Sequence, residues 1–244
     1  MKLSFKLSFF VLGVILPVIV LFYLINARLV LSEATKFETT LGIKQGQRIR
    51  EQITKQFEAV RTSSKDWGGW DDTYYFVQGK KDSFIKDNLL DPIVALGALR
   101  ADFIVIINKD GKVIYSAAGD FAEKKAIMVP DFIVNEFVNI TKNFFTAYSK
   151  DKQVSEGFLL NEDGSILFSS NKILHSDYSG DPKGLIFLGR FLDERLTQNF
   201  KDVLQGELEF INLANPSQFQ KFNRIVEEIT NSDVFVELRD ESVD

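Results

Sequence analysis

Two stretches of this 244-residue chain repeat one pattern, and that pattern limits the fold more than any other feature. Ile106-Ile107-Asn108-Lys109-Asp110-Gly111-Lys112-Val113-Ile114-Tyr115-Ser116 returns further on as Leu159-Leu160-Asn161-Glu162-Asp163-Gly164-Ser165-Ile166-Leu167-Phe168-Ser169. Each copy is an apolar run, an Asn-x-Asp-Gly turn and a second apolar run. Asp-Gly supplies the positive-φ positions that a tight reversal needs, so each copy reads as a β-hairpin. Two copies are too few for a solenoid, so they imply two hairpins of one antiparallel sheet. A further apolar run, Gly184 to Leu192, puts Leu185, Phe187 and Phe191 on one face and Ile186, Leu188 and Leu192 on the other. A strand apolar on both faces is central. Arg190 belongs to the second of those faces.

Helices are predicted around these strands. Asp91-Pro92 places an N-cap and a first-turn proline ahead of a short helix to about Arg100. Pro130 to about Tyr148 is amphipathic, with Phe132, Ile133, Phe137, Ile140 and Phe144 on one side. Asp193 caps a helix to about Leu204. Beyond it, Glu207–Leu213 reads as a strand, Asn215-Pro216 opens a helix carrying Phe219, Phe222, Val226 and Ile229, and Val234–Leu238 is a last short strand.

The amino-terminal part follows a different rule. Leu7 to Ile25 contains no charge and follows Lys2 and Lys6, which is the length and flank of a membrane-crossing helix. A cleaved signal peptide is the rival reading, and Ile25-Asn26-Ala27 is a poor cleavage site. A retained single-pass anchor over residues 7–27 is the expectation, with residues 1–6 cytoplasmic and the bulk of the chain extracytoplasmic. Lys2 and Lys6 are balanced by Arg28, Lys36 and Lys44, so charge alone does not fix the orientation. From Asn26 to about Ser64, Val30, Ala34, Phe37, Leu41, Ile49, Ile53, Phe57 and Val60 recur every three or four residues, with Gln45 as the one polar break. That is one long helix with a narrow apolar stripe, roughly 55–60 Å over residues 28–64 at 1.5 Å per residue. The spacing leaves its cover open: its own domain, a second copy in a homodimer, or both in turn.

Between helix and sheet lies Asp66-Trp67-Gly68-Gly69-Trp70-Asp71-Asp72-Thr73-Tyr74-Tyr75-Phe76-Val77, which holds both tryptophans of the chain. If helical, it sets Trp67, Trp70, Asp71 and Tyr74 on one face. The Gly68-Gly69 pair makes a turn equally compatible. Three roles fit these residues. They are core aromatics with capping aspartates, or the wall of a pocket for a small polar ligand, or a catalytic Asp71/Asp72 pair. Adjacent residues do not face each other on helix or strand, which counts against the third.

Composition removes several chemistries. There is no cysteine, hence no disulfide frame, thiolate metal site or thiol nucleophile. A single histidine, His175 in a polar loop, makes zinc sites and Ser-His-Asp relays poor fits. No cofactor or metal site is expected. The net charge is −5, and without the three bases of the first 32 residues it is −8, so the chain repels nucleic acid.

The order hairpin, helix, hairpin, central strand, helix resembles a PAS-like sensor domain. The paired-tryptophan stretch, Asn88-Leu89, the Asp110-Gly111 hairpin and Gly189-Arg190-Phe191-Leu192-Asp193 together resemble the fourth type of CHASE domain. The resemblance implies an α+β fold, with a five-stranded antiparallel sheet and flanking helices behind a membrane anchor and a long helix. It divides the chain into residues 1–6, 7–27, 28–64, a sensor domain over 65–215 and an incomplete end over 216–244. It implies a non-catalytic, ligand-sensing input region of prokaryotic signal transducers. Output segments such as a histidine kinase or diguanylate cyclase are not found in this sequence. The family signature falls on Trp67, Trp70, Asp71, Asp72, Tyr74, Arg190 and Asp193. The first six are the candidate ligand-binding residues, for an unidentified small molecule.

Arg190 on an apolar strand face requires a carboxylate partner, and Asp71 or Asp72 is the expected one. A membrane-tethered scaffold whose helix stripe binds a partner protein is the alternative function. A hydrolase using Asp66, Asp71 or Asp72 is a third, without a relay or phosphate loop to support it.

Overall fold

The computed structural model describes residues 3–148, 154–161 and 164–204. The expected strand, helix and strand beyond residue 205 lie outside the described residues. Two units divide the chain, one ending at Ile49 and the other beginning at Arg50.

The first unit is the amino-terminal part of α1 (Leu3–Gly68). Its apolar side chains from Ile15 to Ile25 are at least half exposed, as are Val30 and Phe37. Among the described residues no helix is long and apolar enough to cross a membrane. The anchor expected over residues 7–27 therefore finds no support here; several side chains at its start lie outside those described.

The second unit is built on a six-stranded sheet, not the five-stranded one expected. Its strands are β1 (Phe103–Asn108), β2 (Val113–Asp120), β3 (Lys125–Ile127), β4 (Glu156–Asn161), β5 (Gly164–Lys172) and β6 (Gly184–Phe191). The order is β3-β2-β1-β6-β5-β4, and every pairing is antiparallel. The additional strand, β3, is three exposed residues with no apolar alternation, so pairing with β2 rather than burial holds it in place. Both expected hairpins form. In the first, Gly111 takes φ +79°, and the Asn108 side-chain oxygen accepts the backbone N–H groups of Asp110 and Lys112 at 3.0 and 2.9 Å. That side chain satisfies donors which the turn would otherwise leave open. In the second, Asn161 pairs with Gly164.

β6 is central, between β1 and β5, as its two-sided apolar pattern requires. Gly189 admits the Phe103 ring, which would lie 2.2 Å from a Cβ placed there. On the face of Phe103, Val105, Phe168, Leu185 and Phe187 lies α5 (Asp131–Thr146). Phe137 stacks on Phe187 with centroids 4.2 Å apart and planes within 8°. Fully buried aromatics of this kind carry most of the cohesion of the layer.

The opposite face carries α4 (Pro92–Leu99) against β2, and the last turns of α1 reach β4, β5 and β6 through Phe57, Ser64 and Gln56. Val60 is fully buried there, and Phe57 meets Phe158 edge-on at 5.1 Å. Ser64 reaches Ser169 at 3.3 Å, while Arg61 bonds Glu156 through Nε (2.8 Å) and Nη2 (2.5 Å). The end of the apolar stripe is thus covered by its own domain, and helices lie on both faces of the sheet. Two short helices, α2 (Asp71–Phe76) and α3 (Phe84–Asn88), connect α1 to α4. The Asp193 carboxylate caps α6 (Glu194–Leu204), accepting the Leu196 N–H at 2.9 Å.

Candidate functional site

The aromatic stretch continues α1 only as far as Gly68. Leu174 N–H donates to the Gly68 carbonyl at 2.8 Å, and the Lys172 carbonyl comes within 2.7 Å of where a Gly68 Cβ would stand. The Tyr178 ring lies equally close to Gly69. The two glycines therefore admit the β5–β6 loop, and the chain breaks there. Trp70 is extended, with φ −119° and ψ 127°, as the N-cap of α2. The single helical face predicted for Trp67, Trp70, Asp71 and Tyr74 is not formed, because those bonds to the loop replace helical ones.

Trp67 and Trp70 instead pack edge to face at 5.9 Å, and both close on Phe84, which stacks on Phe76 at 4.4 Å. Tyr74 is buried against the His175 ring at 3.7 Å between centroids. Asp71 Oδ1 meets His175 Nδ1 at 2.7 Å, and the Asp71 N–H donates to Ser176 Oγ at 3.1 Å. The hydrogen bond from His175, and next the Ser176 N–H, hold the Asp71 carboxyl below its ordinary pKa. Asp72 pairs with Lys81 at 2.9 Å. Gly68, Gly69, Asp71 and Tyr74 form a joint between the end of α1 and the β5–β6 loop, while Trp67, Trp70 and Asp72 pack on or pair with the α2–α3 segment.

Arg190 lies elsewhere. Neither Asp71 nor Asp72 reaches it, since His175 and Lys81 take those carboxylates. Its partner is Asp102, with Nε 3.6 Å from Oδ2, and its Nη1 donates to Gln56 Oε1 on α1. Pairing Phe103 with Gly189 sets Asp102 and Arg190 side by side on the α1 face of the sheet. Asp102 is 2% exposed, and its oxygens also accept the Phe191 N–H at 3.1 Å and Arg195 Nη2 at 2.6 Å. A buried carboxylate needs such donors; the Arg195 guanidinium and the Phe191 amide supply them, and the Arg190 guanidinium adds a second positive charge beside it.

These side chains border a cleft of about 420 Å³, walled by α1, α4, the residues just before β1, Phe121, and Arg190 and Arg195 of β6 and α6. Lys55, Arg100, Arg190 and Arg195 set four positive charges in its lining against the one carboxylate of Asp102. Ala59, Leu96 and Phe121 add apolar wall, with the Arg195 guanidinium 5.3 Å above the Phe121 ring. A concave site of this size with a few convergent polar groups suits a small molecule. A second cleft, about 460 Å³, lies between the α2–α3 connection and the β1–β2 turn. None of Trp67, Trp70, Asp71, Asp72 and Tyr74 lines either cleft. Among the described residues no group of histidine and carboxylate side chains could hold a metal ion.

The sequence did not point to Asp102, Gln56 or Arg195. Asp102 was visible only as a lone acid directly ahead of a wholly apolar strand. Arg195 was one base among charged neighbours at a helix start, and nothing marked Gln56.

The family model for the CHASE4 domain matches residues 52–211, which takes in the cleft, the joint and the whole sheet. The chain belongs to the CHASE4 family. CHASE4 domains are ligand-sensing input domains of signal transducers, so residues 52–211 of this chain form an input domain. Over 142 residues it is 29% identical to the methanogenesis regulatory histidine kinase FilI of Methanothrix harundinacea. That alignment spans 58% of this chain and 15% of the kinase.

Among solved structures, the periplasmic domain of Vibrio cholerae LuxQ aligns with a TM-score of 0.47 and 12% identity, over 68% of this chain and 71% of that one. The ligand-binding domain of the Campylobacter jejuni chemoreceptor Tlp3, in complex with L-valine, aligns with a TM-score of 0.42 and 13% identity, over 70% and 66%.

Proposed function

We propose that this CHASE4 chain is the extracytoplasmic input region of a membrane-bound signal transducer, in which a small molecule binds the basic cleft and binding is passed on through α1. The observation that carries this reading is the position of Arg190. Its guanidinium stands between a buried acid of the sheet and Gln56 on the long helix. A ligand that takes bonds from Arg190 must loosen or tighten the Gln56 contact, and so prefers one placement of α1 over another. Differential affinity of this kind is all that coupling requires; a fivefold preference is about 1 kcal/mol.

In this reading Arg190 is the ligand anchor. Asp71 and Tyr74 belong to the joint that fixes the end of α1 to the loop before β6, and Trp67, Trp70 and Asp72 pack on or pair with the α2–α3 segment beside it. In the same proposal residues 7–27 are the membrane anchor, on the ground of the uncharged run from Leu7 to Ile25. The exposed Val30, Phe37 and Leu41 are suited to a second copy of the helix, so the transducer works as a homodimer.

A thermal-shift screen of metabolites on the full chain in detergent tests the proposal. A saturable rise in melting temperature is expected, because a ligand selective for the folded state stabilises it. The rise should be lost in Arg190→Gln. A rise that Arg190→Gln leaves intact would remove the cleft from the account.

A further inference from the structure

We infer that the cleft takes a small organic acid that carries no positive charge of its own. This rests on the sensing reading above and adds the chemical class of the ligand. Four cationic side chains against one carboxylate is a reversal of sign in a chain whose net charge is −5. The single carboxylate is not open to a ligand. Asp102 is 2% exposed, and its oxygens already serve the Phe191 N–H and Arg195, with Arg190 beside them. An entering ammonium group would therefore meet four like charges and no free acid in the lining, so amines and amino acids are rejected together.

The cations, by contrast, have capacity to spare. Lys55 and Arg100 are exposed and form no ion pair among the described residues. Arg100 takes φ +54°, a backbone region that glycine fills at lower cost, and yet the position presents a guanidinium to the cleft. Guanidinium forks match carboxylates bidentately, which favours an acid over a neutral polar group of the same size. Ala59 and Phe121 give the other half of the specificity, a partly exposed apolar surface for the hydrocarbon part of the acid.

Hexanoate and adipate serve as acid probes, with norleucine, hexylamine and hexanol as chain-matched controls. Each is titrated against the full chain in detergent at constant ionic strength, following thermal unfolding. One or both acids are expected to raise the melting temperature saturably, with the three controls at least tenfold weaker. Arg100→Gln and Lys55→Gln change exposed side chains and should melt as the parent does, while weakening the acid at least fivefold each. Binding of norleucine or hexylamine at equal or better affinity overturns the inference, as does hexanol matching hexanoate, or no response to either acid. Acid binding that both substitutions leave unchanged also overturns it. If a control binds instead and is lost in Arg190→Gln, the charge class fails while the sensing role of the cleft stands. If Arg190→Gln leaves every response unchanged, the sensing role fails with it.

Discussion

Asp102→Asn separates what holds the cleft together from what the cleft attracts. In the native protein the carboxylate is 2% exposed, the Arg190 side chain 15% and the Arg195 side chain 33%. Removing one member of a buried ion pair costs about 3–5 kcal/mol, because the remaining charge stays desolvated. Asparagine keeps an oxygen for the Phe191 N–H, and Arg195 is partly hydrated already, so the loss falls near the lower end, about 3 kcal/mol. In a domain of this size each kcal/mol moves the midpoint by about 2–4 °C, which gives a fall of roughly 6–12 °C. The same substitution removes the only negative charge of the lining, so hexanoate should bind more tightly. Stability and affinity thus move in opposite directions. Urea unfolding with an unchanged slope measures the first, and titration of the folded variant measures the second. A variant as stable as the parent, or one that binds the acid more weakly, would refute the reasoning.

Other consequences are as direct. Arg190→Lys places one ammonium where a fork now serves Asp102 and Gln56 together, so stability should fall by about 1.5–3 kcal/mol in urea unfolding and the acid response should shrink. Phe137→Ala empties the centre of the α5 layer and should cost about 3–5 kcal/mol, with no change in the ratio of hexanoate to norleucine affinity. Asp71 is held below its ordinary pKa by His175 and Ser176, so it contributes stability above the unfolded carboxylate value of about 3.9 that is lost as pH falls through the lower folded value. Melting curves from pH 6 to pH 2 should therefore show the parent above Asp71→Asn at pH 5 and the two converging at the acid end. A gap that is constant with pH would count against the pairing.

The elements legible in the sequence were those set by local chemistry. Asn108 to Lys112 had to turn, because an Asn-x-Asp-Gly segment between apolar runs satisfies its own donors. β6 had to be central, because no other placement covers Leu185 and Ile186 alike. The sixth strand, Lys125–Ile127, was not legible, since three residues among charges carry no alternation and exist only as a partner for β2. The site was half legible for the same reason. Arg190 declared itself as a charge on an apolar strand, but its true partner depends on the β1–β6 register, which no local pattern encodes. Asp71 and Asp72 were nearer in kind and are taken by His175 and Lys81 instead. The Gly68-Gly69 pair is by itself compatible with a turn. What decides it is a loop more than 100 positions away that needs the space, as Leu174 N–H on the Gly68 carbonyl makes plain.

The claim on which the account turns is that occupancy of the basic cleft is felt by α1. Amide hydrogen exchange over residues 55–60 of the full chain, with and without saturating hexanoate, measures that directly. The account predicts a change in protection at those amides when the acid binds, abolished in Gln56→Ala although the acid still binds. Saturation of the cleft with exchange in α1 unaltered would contradict it.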